Sequence, residues 1–278
     1  MKNKPLLAFG CSLLAFAGEC QASLSLNSIG VASTVNFDAT VLGVNNGAFA
    51  GNGFQTAPSV GQLDSDAWAI TGFSDGALTF DGTRTTSGTD YTRLVSSVPV
   101  SEGGIYAFDV DPTTGVNRAL GVQPTGEDFT SGSLTLRIQN QTGQTISSLL
   151  LAYAVYVRND QPRANSFNFS YSFDNITYAS VPALDVNSSA VADGLGFLAN
   201  GRSTLLAGVS IADNAYFYLR WSGDDVSGSG SRDEFALDDI SVTGLAAVAP
   251  VPEPATYIAG ALLLLPFGAR GVRYLRNR

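Results

Sequence analysis

The chain has 278 residues, a net charge of −9, no histidine and two cysteines, Cys11 and Cys20. Lack of histidine excludes the Ser-His-Asp triad, the His-Cys dyad and nearly all catalytic zinc sites. Ser23–Pro250 carries 9 arginines against 22 acidic residues, a net charge of −13; such a surface repels a phosphate backbone and excludes nucleic acid as a partner.

The first segment reads MKNKPLLAFGCSLLAFAGECQAS. Lys2 and Lys4 precede an apolar run from Pro5 to Gly18, and small residues follow. This is the pattern of a secretory signal peptide over 1–22, cleaved after Ala22, with the Sec translocon and signal peptidase as first partners. A lipoprotein reading fits poorly, because Cys20 follows Glu19 and Cys11 lies inside the apolar core. Both cysteines leave with the signal, so the mature chain has no disulfide, thiolate nucleophile or cysteine–metal site. Stability must then come from a hydrophobic core, for which about 225 residues suffice.

From Ser23 to about Gly104 the chain is Gly-rich, with strand-like runs at AWAITGF and GALTFDG. Clearer alternation follows. SLTLRIQN places Leu134, Leu136 and Ile138 on one face. SSLLLAYAVYVRN is apolar on both faces, as suits a central strand. NSFNFSYSF sets Phe167, Phe169, Tyr171 and Phe173 against Ser166, Asn168, Ser170 and Ser172. AYFYLRWS sets Phe217, Leu219 and Trp221 against Tyr216, Tyr218 and Arg220. Turn chemistry separates the runs at Asp111-Pro112, Asp174-Asn175 and Gly223-Asp224. Many short strands and no interior helix predict an all-β fold, an antiparallel β-sandwich of jelly-roll type, as one domain over 23–245.

The last strands, YFYLRWSGDDVSGSGSRDEFALDDISVTG, concentrate the candidate chemistry. Unbroken alternation would put Glu234, Ala236, Asp238, Ile240 and Val242 on one face and turn Asp238 inward. A buried carboxylate is costly unless paired or metal-bound. An arginine such as Arg220 or Arg232 is one partner; a structural Ca²⁺ held by Asp224, Asp225, Asp233, Asp238 and Asp239 is another, although the DxDxDG spacing is absent. A bulge at Asp238-Asp239 would instead expose one of the pair, and a plainly solvated loop is the blander alternative. Catalysis by two carboxylates is disfavoured. Glu234 and Asp238 stand four residues apart, about 13 Å along a strand, where glycosidic pairs need about 5–9.5 Å. No catalytic residue is assigned. Among Trp68, Tyr91, Tyr153, Tyr156, Tyr216 and Tyr218, the last two are the preferred glycan-stacking candidates, since they lie opposite Phe217 and Trp221.

After a linker at 246–250, the tail 251–278 begins with Val251, Pro252, Glu253 and Pro254. An apolar run from Ala255 to Ala269 follows, then Arg270, Arg273, Arg276 and Arg278. A transmembrane helix over about 255–272, with a basic tail over 270–278 kept cytoplasmic, leaves the body outside. A simple C-terminal anchor has this form.

The combination of Val-Pro-Glu-Pro, short apolar helix and arginine cluster resembles the PEP-CTERM sorting signal of Gram-negative bacteria. The resemblance implies that an exosortase recognises Pro252-Glu253-Pro254 and removes the tail, and that the protein accompanies exopolysaccharide in a biofilm or floc. Pro266 and Gly268 interrupt the apolar run, a departure that bears on anchoring. The body resembles secreted bacterial β-sandwich domains of the lamin-tail-associated, laminin-G-like and jelly-roll types over most of Gly104–Gly244. Together these features predict an exported, non-catalytic envelope or extracellular-matrix protein. It would be held at the inner membrane with its body outside the cytoplasm, then passed to the cell surface or matrix. A carbohydrate-binding module is the alternative, and a two-carboxylate glycoside hydrolase a weaker one.

Overall fold

The computed structural model describes residues 23–247 except 112, 114 and 115. The predicted signal helix, the transmembrane helix, the sorting motif Val251–Pro254 and the four tail arginines lie outside the described residues. Among the described residues no helix is long and apolar enough to cross a membrane. One compact unit extends to Ala246.

In chain order the strands are β1 (Leu24–Leu26), β2 (Ala32–Val35), β3 (Asn45–Asn46), β4 (Phe54–Gln55), β5 (Gln62–Asp64), β6 (Trp68–Thr71), β7 (Val95–Ser96), β8 (Gly104–Asp109), β9 (Arg118–Gln123), β10 (Gly132–Asn140), β11 (Ile146–Arg158), β12 (Arg163–Ser172), β13 (Ala179–Ser180), β14 (Val186–Asn187), β15 (Leu198–Ile211), β16 (Tyr216–Gly228) and β17 (Glu234–Leu245). A 3₁₀ turn at Pro182–Leu184 is the one helical element described. The predicted all-β class is therefore observed.

One sheet runs β1-β10-β16-β12-β13, with β6 also on β10 and β14 also on β12. The second runs β15-β11-β17-β9-β8-β7, with β2 also on β17, and β3-β5-β4 form a small third sheet. From β9 to β12, and again from β15 to β17, successive long strands fall in alternate sheets. The two inner faces meet in a shared apolar core. Leu134, Leu136, Ile138, Phe217, Leu219 and Trp221 face Leu149, Leu151, Tyr153, Val155 and Leu237, all buried. Aromatic contacts cross the gap: Tyr153 meets Trp221 edge-on at 5.4 Å, and Phe167 stacks on Phe235 at 5.5 Å. Burying such side chains contributes about 1.5–3 kcal/mol each, which replaces what disulfides supply in smaller secreted domains. Phe129 lies across the cross-strand pair Gly132 and Gly223, where any Cβ would overlap its ring.

Gly223-Asp224 is not a turn but lies inside β16, paired with Phe167 and Ser166 of β12, and two further expectations need correction. Phe173 does not continue the apolar face of β12; that strand ends at Ser172 and Phe173 is exposed. The unbroken alternation in β17 gives way to the bulge named as its alternative. Ala152 of β11 pairs with Ser241 and Ala154 with Asp238, so β17 holds one extra residue there. Asp239 takes φ 51°, the left-handed conformation, and is exposed. Phe235 and Leu237 enter the core before the slip, Ile240 and Val242 after it. Asp238 is buried on the other side of the sheet, in phase with Glu234 and with Ala236, which packs beneath Tyr106 and Phe108.

Candidate functional site

The alternation that sends Leu, Phe and Trp into the core sends hydroxyls, amides and arginines to the outer face of the first sheet. Strand register aligns them in rows. Thr71, Ser133, Ser222 and Asn168 form one row across β6, β10, β16 and β12. Ala69, Thr135, Arg220 and Ser170 form the next. Strands lie about 4.8 Å apart, so each row spans about 14 Å. The first row and Arg220 line an open trough of about 370 Å³, with Asp224 at its far end.

Beyond Arg220 the face becomes aromatic. Arg137 pairs with Tyr218 in register, and Gln139 with Tyr216. Phe80 reaches over from the loop after β6 to pack on Tyr218, at 5.8 Å between ring centroids. The Arg137 guanidinium lies 4.7 Å from the centre of Phe80 and 5.2 Å from that of Tyr216, and is tied to Asp81 at 3.0 Å. Burial raises the Tyr218 hydroxyl above its ordinary pKa, so it stays a neutral donor and acceptor. Tyr178, in the loop before β13, lies under the Arg220 guanidinium at 3.4 Å. Its hydroxyl donates to Asn175 Oδ1, and burial raises its pKa as well.

The predicted pair Tyr216 and Tyr218 thus lies half-buried on one continuous aromatic face. The other proposed aromatics do not join it. Trp68, Tyr91 and Tyr153 are core residues, and Tyr156 packs on the second sheet's outer side. Phe80, Tyr178 and Arg137 were not among the predicted site residues. Arg137 stands in the polar half of SLTLRIQN; Phe80 lies in GALTFDG, expected as a strand but observed as a loop with an isolated bridge at Leu78, and Tyr178 comes from the loop before β13.

The five aspartates proposed for calcium are not brought together. Among the described residues no group of three acidic side chains is placed to hold a metal ion. Asp225 lies between Arg163 and Arg232, with Arg232 donating to both of its oxygens at 2.7 Å. Burial opposes its ionisation, but the two guanidiniums outweigh that and hold its pKa below the usual range. Asp224 and Asp239 are exposed. Asp233 is buried, accepts the Gln161 N–H at 2.9 Å, and has its pKa raised by burial. The arginine partners proposed for Asp238 are also excluded, since Arg220 stacks on Tyr178 and Arg232 holds Asp225. Asp238 Oδ1 accepts the Asp239 N–H at 2.8 Å, while Oδ2 has no hydrogen-bond partner. Burial pushes its pKa up to about 7, against the pull of the Asp239 and Phe37 amides. Glu234 is likewise pushed by burial to about 7, with the Val100 N–H on Oε1 at 2.9 Å.

No protein-family model and no curated protein matches the chain. Distant likeness to solved structures exists. The K2 cleaved adhesin domain of Lys-gingipain from Porphyromonas gingivalis is 11% identical, with TM-score 0.36 over 77% of this chain and 99% of that one. The N-terminal cellulose-binding domain of a Cellulomonas fimi β-1,4-glucanase is 14% identical, with TM-score 0.33 over 66% and 91%. A xylan-binding domain from Paenibacillus barcinonensis is 9% identical, with TM-score 0.29 over 55% and 86%. Likeness this distant leaves fold and ligand to be read from the chain itself.

Proposed function

We propose that this is a non-catalytic polysaccharide-binding β-sandwich of jelly-roll type, and that the outer face of the first sheet is its binding surface. The observation that carries the reading is the in-register row Thr71–Ser133–Ser222–Asn168 beside the aromatic group Phe80, Tyr216 and Tyr218. Hydroxyl and amide groups across four strands offer donors and acceptors to sugar hydroxyls, and neighbouring rings offer apolar faces to sugar C–H surfaces. An extended trough suits a chain better than a small molecule, which needs a more enclosed pocket. Glycan binding thereby takes precedence over a purely structural matrix role. The remainder of the proposal follows the tail: export, recognition of Pro252-Glu253-Pro254 by an exosortase, and delivery to the surface or matrix where exopolysaccharide accumulates.

Affinity electrophoresis through gels containing soluble glucans, xylans or polyuronates tests the binding. Tyr218→Ala is expected to weaken it about tenfold, the order of one lost aromatic contact, with melting curves establishing that the variant is folded. Unretarded migration of the full-length protein in every polymer would refute the reading.

A further inference from the structure

The trough holds a cation whose fork is not spent on any carboxylate of the described residues. Arg220 projects from the middle of β16, between Thr135 and Ser170 of the flanking strands. Its Nε–H donates to Thr135 Oγ1 at 3.2 Å, and the Tyr178 ring covers one face of the guanidinium at 3.4 Å. Stacking occupies the plane of a guanidinium and leaves its N–H edge free to donate. The other arginines are engaged differently. Arg93, Arg118, Arg137, Arg163 and Arg232 each pair with a carboxylate. Arg84, Arg158 and Arg202 donate to backbone carbonyls. Arg220 does neither. A pre-oriented guanidinium on the floor of a hydroxyl-lined trough matches a carboxylate, which takes two parallel N–H···O bonds from it.

We infer that the polysaccharide bound in this trough is an acidic one, a polyuronate-type chain, with Arg220 as the bidentate partner of a uronate carboxylate. The inference rests on the glycan-binding reading and specifies the substrate class of the same surface. The body's net charge of −13 opposes an anionic chain, but at physiological salt charges beyond about 8 Å are largely screened. Asp224, the acidic residue of the trough, stands four positions along β16 from Arg220, about 13 Å at strand rise. It accepts the Asp225 N–H on Oδ1 and is exposed at the far end. A carboxylate over Arg220 therefore meets a local cation before it meets the global field.

The test is binding of the full-length protein to polygalacturonate and to the same polymer with its carboxyls methyl-esterified. The acid form is expected to bind at least tenfold more tightly, with the preference shrinking as salt rises. Arg220→Gln should abolish the preference. Arg220→Lys, which keeps the charge but loses the fork, should reduce it severalfold; melting curves of both variants establish that they are folded. Equal affinity for the two polymer forms, or an unchanged preference in Arg220→Gln, would overturn the inference. Binding confined to neutral glucan or xylan would overturn it while leaving the glycan-binding surface standing. Absence of binding to any polymer would overturn both.

Discussion

Replacing Asp238 by Asn should change stability with a sign that depends on pH. The carboxyl is buried on the outer side of the second sheet, and burial raises its pKa from 3.8 to about 7. A raised carboxyl pKa means that the folded state holds the proton more tightly than the unfolded one. Its ionisation therefore costs nothing below pH 4, and the cost grows as pH rises from about 4 to 7 before levelling off. Three pH units at 1.36 kcal/mol each make about 4 kcal/mol, an upper bound for the burden on the wild type above pH 7. Asn removes that burden. It keeps an oxygen for the Asp239 N–H, but places an amide donor where Oδ2 has no partner, at a cost of about 1–3 kcal/mol. Asp238→Asn should be less stable than wild type at pH 4.5 and more stable, by about 1–3 kcal/mol, at pH 8. The curves should cross between about pH 5 and 6. Urea denaturation of both proteins across pH 4.5–8 reads this directly. Glu234 titrates in the same window, so the difference between the two proteins isolates Asp238. A difference that stays constant with pH would refute the assignment of a buried, unpaired carboxylate.

Gly121 of β9 packs against the Phe108 ring, into which any Cβ would project; Gly121→Ala should cost about 1–3 kcal/mol by overpacking, seen as a melting temperature several degrees lower. Asp225→Ala removes the shared partner of Arg163 and Arg232. Because that site is partly exposed, the loss should be about 1 kcal/mol or less and should shrink in 1 M salt, as measured by paired urea titrations. Replacing Pro252, Glu253 and Pro254 together by alanine leaves the apolar run and the arginines unchanged. Under the proposed sorting it should cause an unprocessed, membrane-held form to accumulate, visible as a size shift on immunoblots of membrane fractions; processing at the wild-type rate would count against exosortase recognition.

The long strands were legible because one face of each meets the core, so a period of two is written directly into Leu134–Ile138, Phe167–Phe169 and Phe217–Trp221. The polar half of the same alternation already contained much of the outer face of the first sheet: Ser133, Thr135, Arg137, Asn168, Tyr216, Tyr218 and Arg220. What it could not contain were Phe80 and Tyr178, which reach this face from loops whose course is set by tertiary packing. The slip at Asp238-Asp239 was legible only as one alternative, the bulge that exposes one of the pair, and the structure selects it with Asp239 outward. Phe235 and Leu237 fall in one phase and Ile240 and Val242 in the other, so the pattern admits a slip between them without fixing which residue is extra. The slip nevertheless determines the chemistry. Without it Asp238 would enter the sandwich core beside Ile240 and Val242 while Leu237 turned outward; with it, the residue lies in phase with Glu234 on the outer side, away from every arginine proposed as its partner.

Arg220 shows most clearly why site and fold differ in legibility. Its position on the outer face follows from alternation alone, yet its availability depends on where every carboxylate goes. The sequence offers Asp238 as its partner, and Asp224 and Asp225 are its nearest acidic neighbours along the chain. Asp225 instead closes on Arg163 and Arg232, and Asp224 lies at the distant end of the trough. A cation with no carboxylate partner among the described residues of an acidic chain is thus a property of the assembled sheet. It exists because Asp238 lies on the other sheet and because β12 and the loop before β17 supply two other arginines to neutralise Asp225.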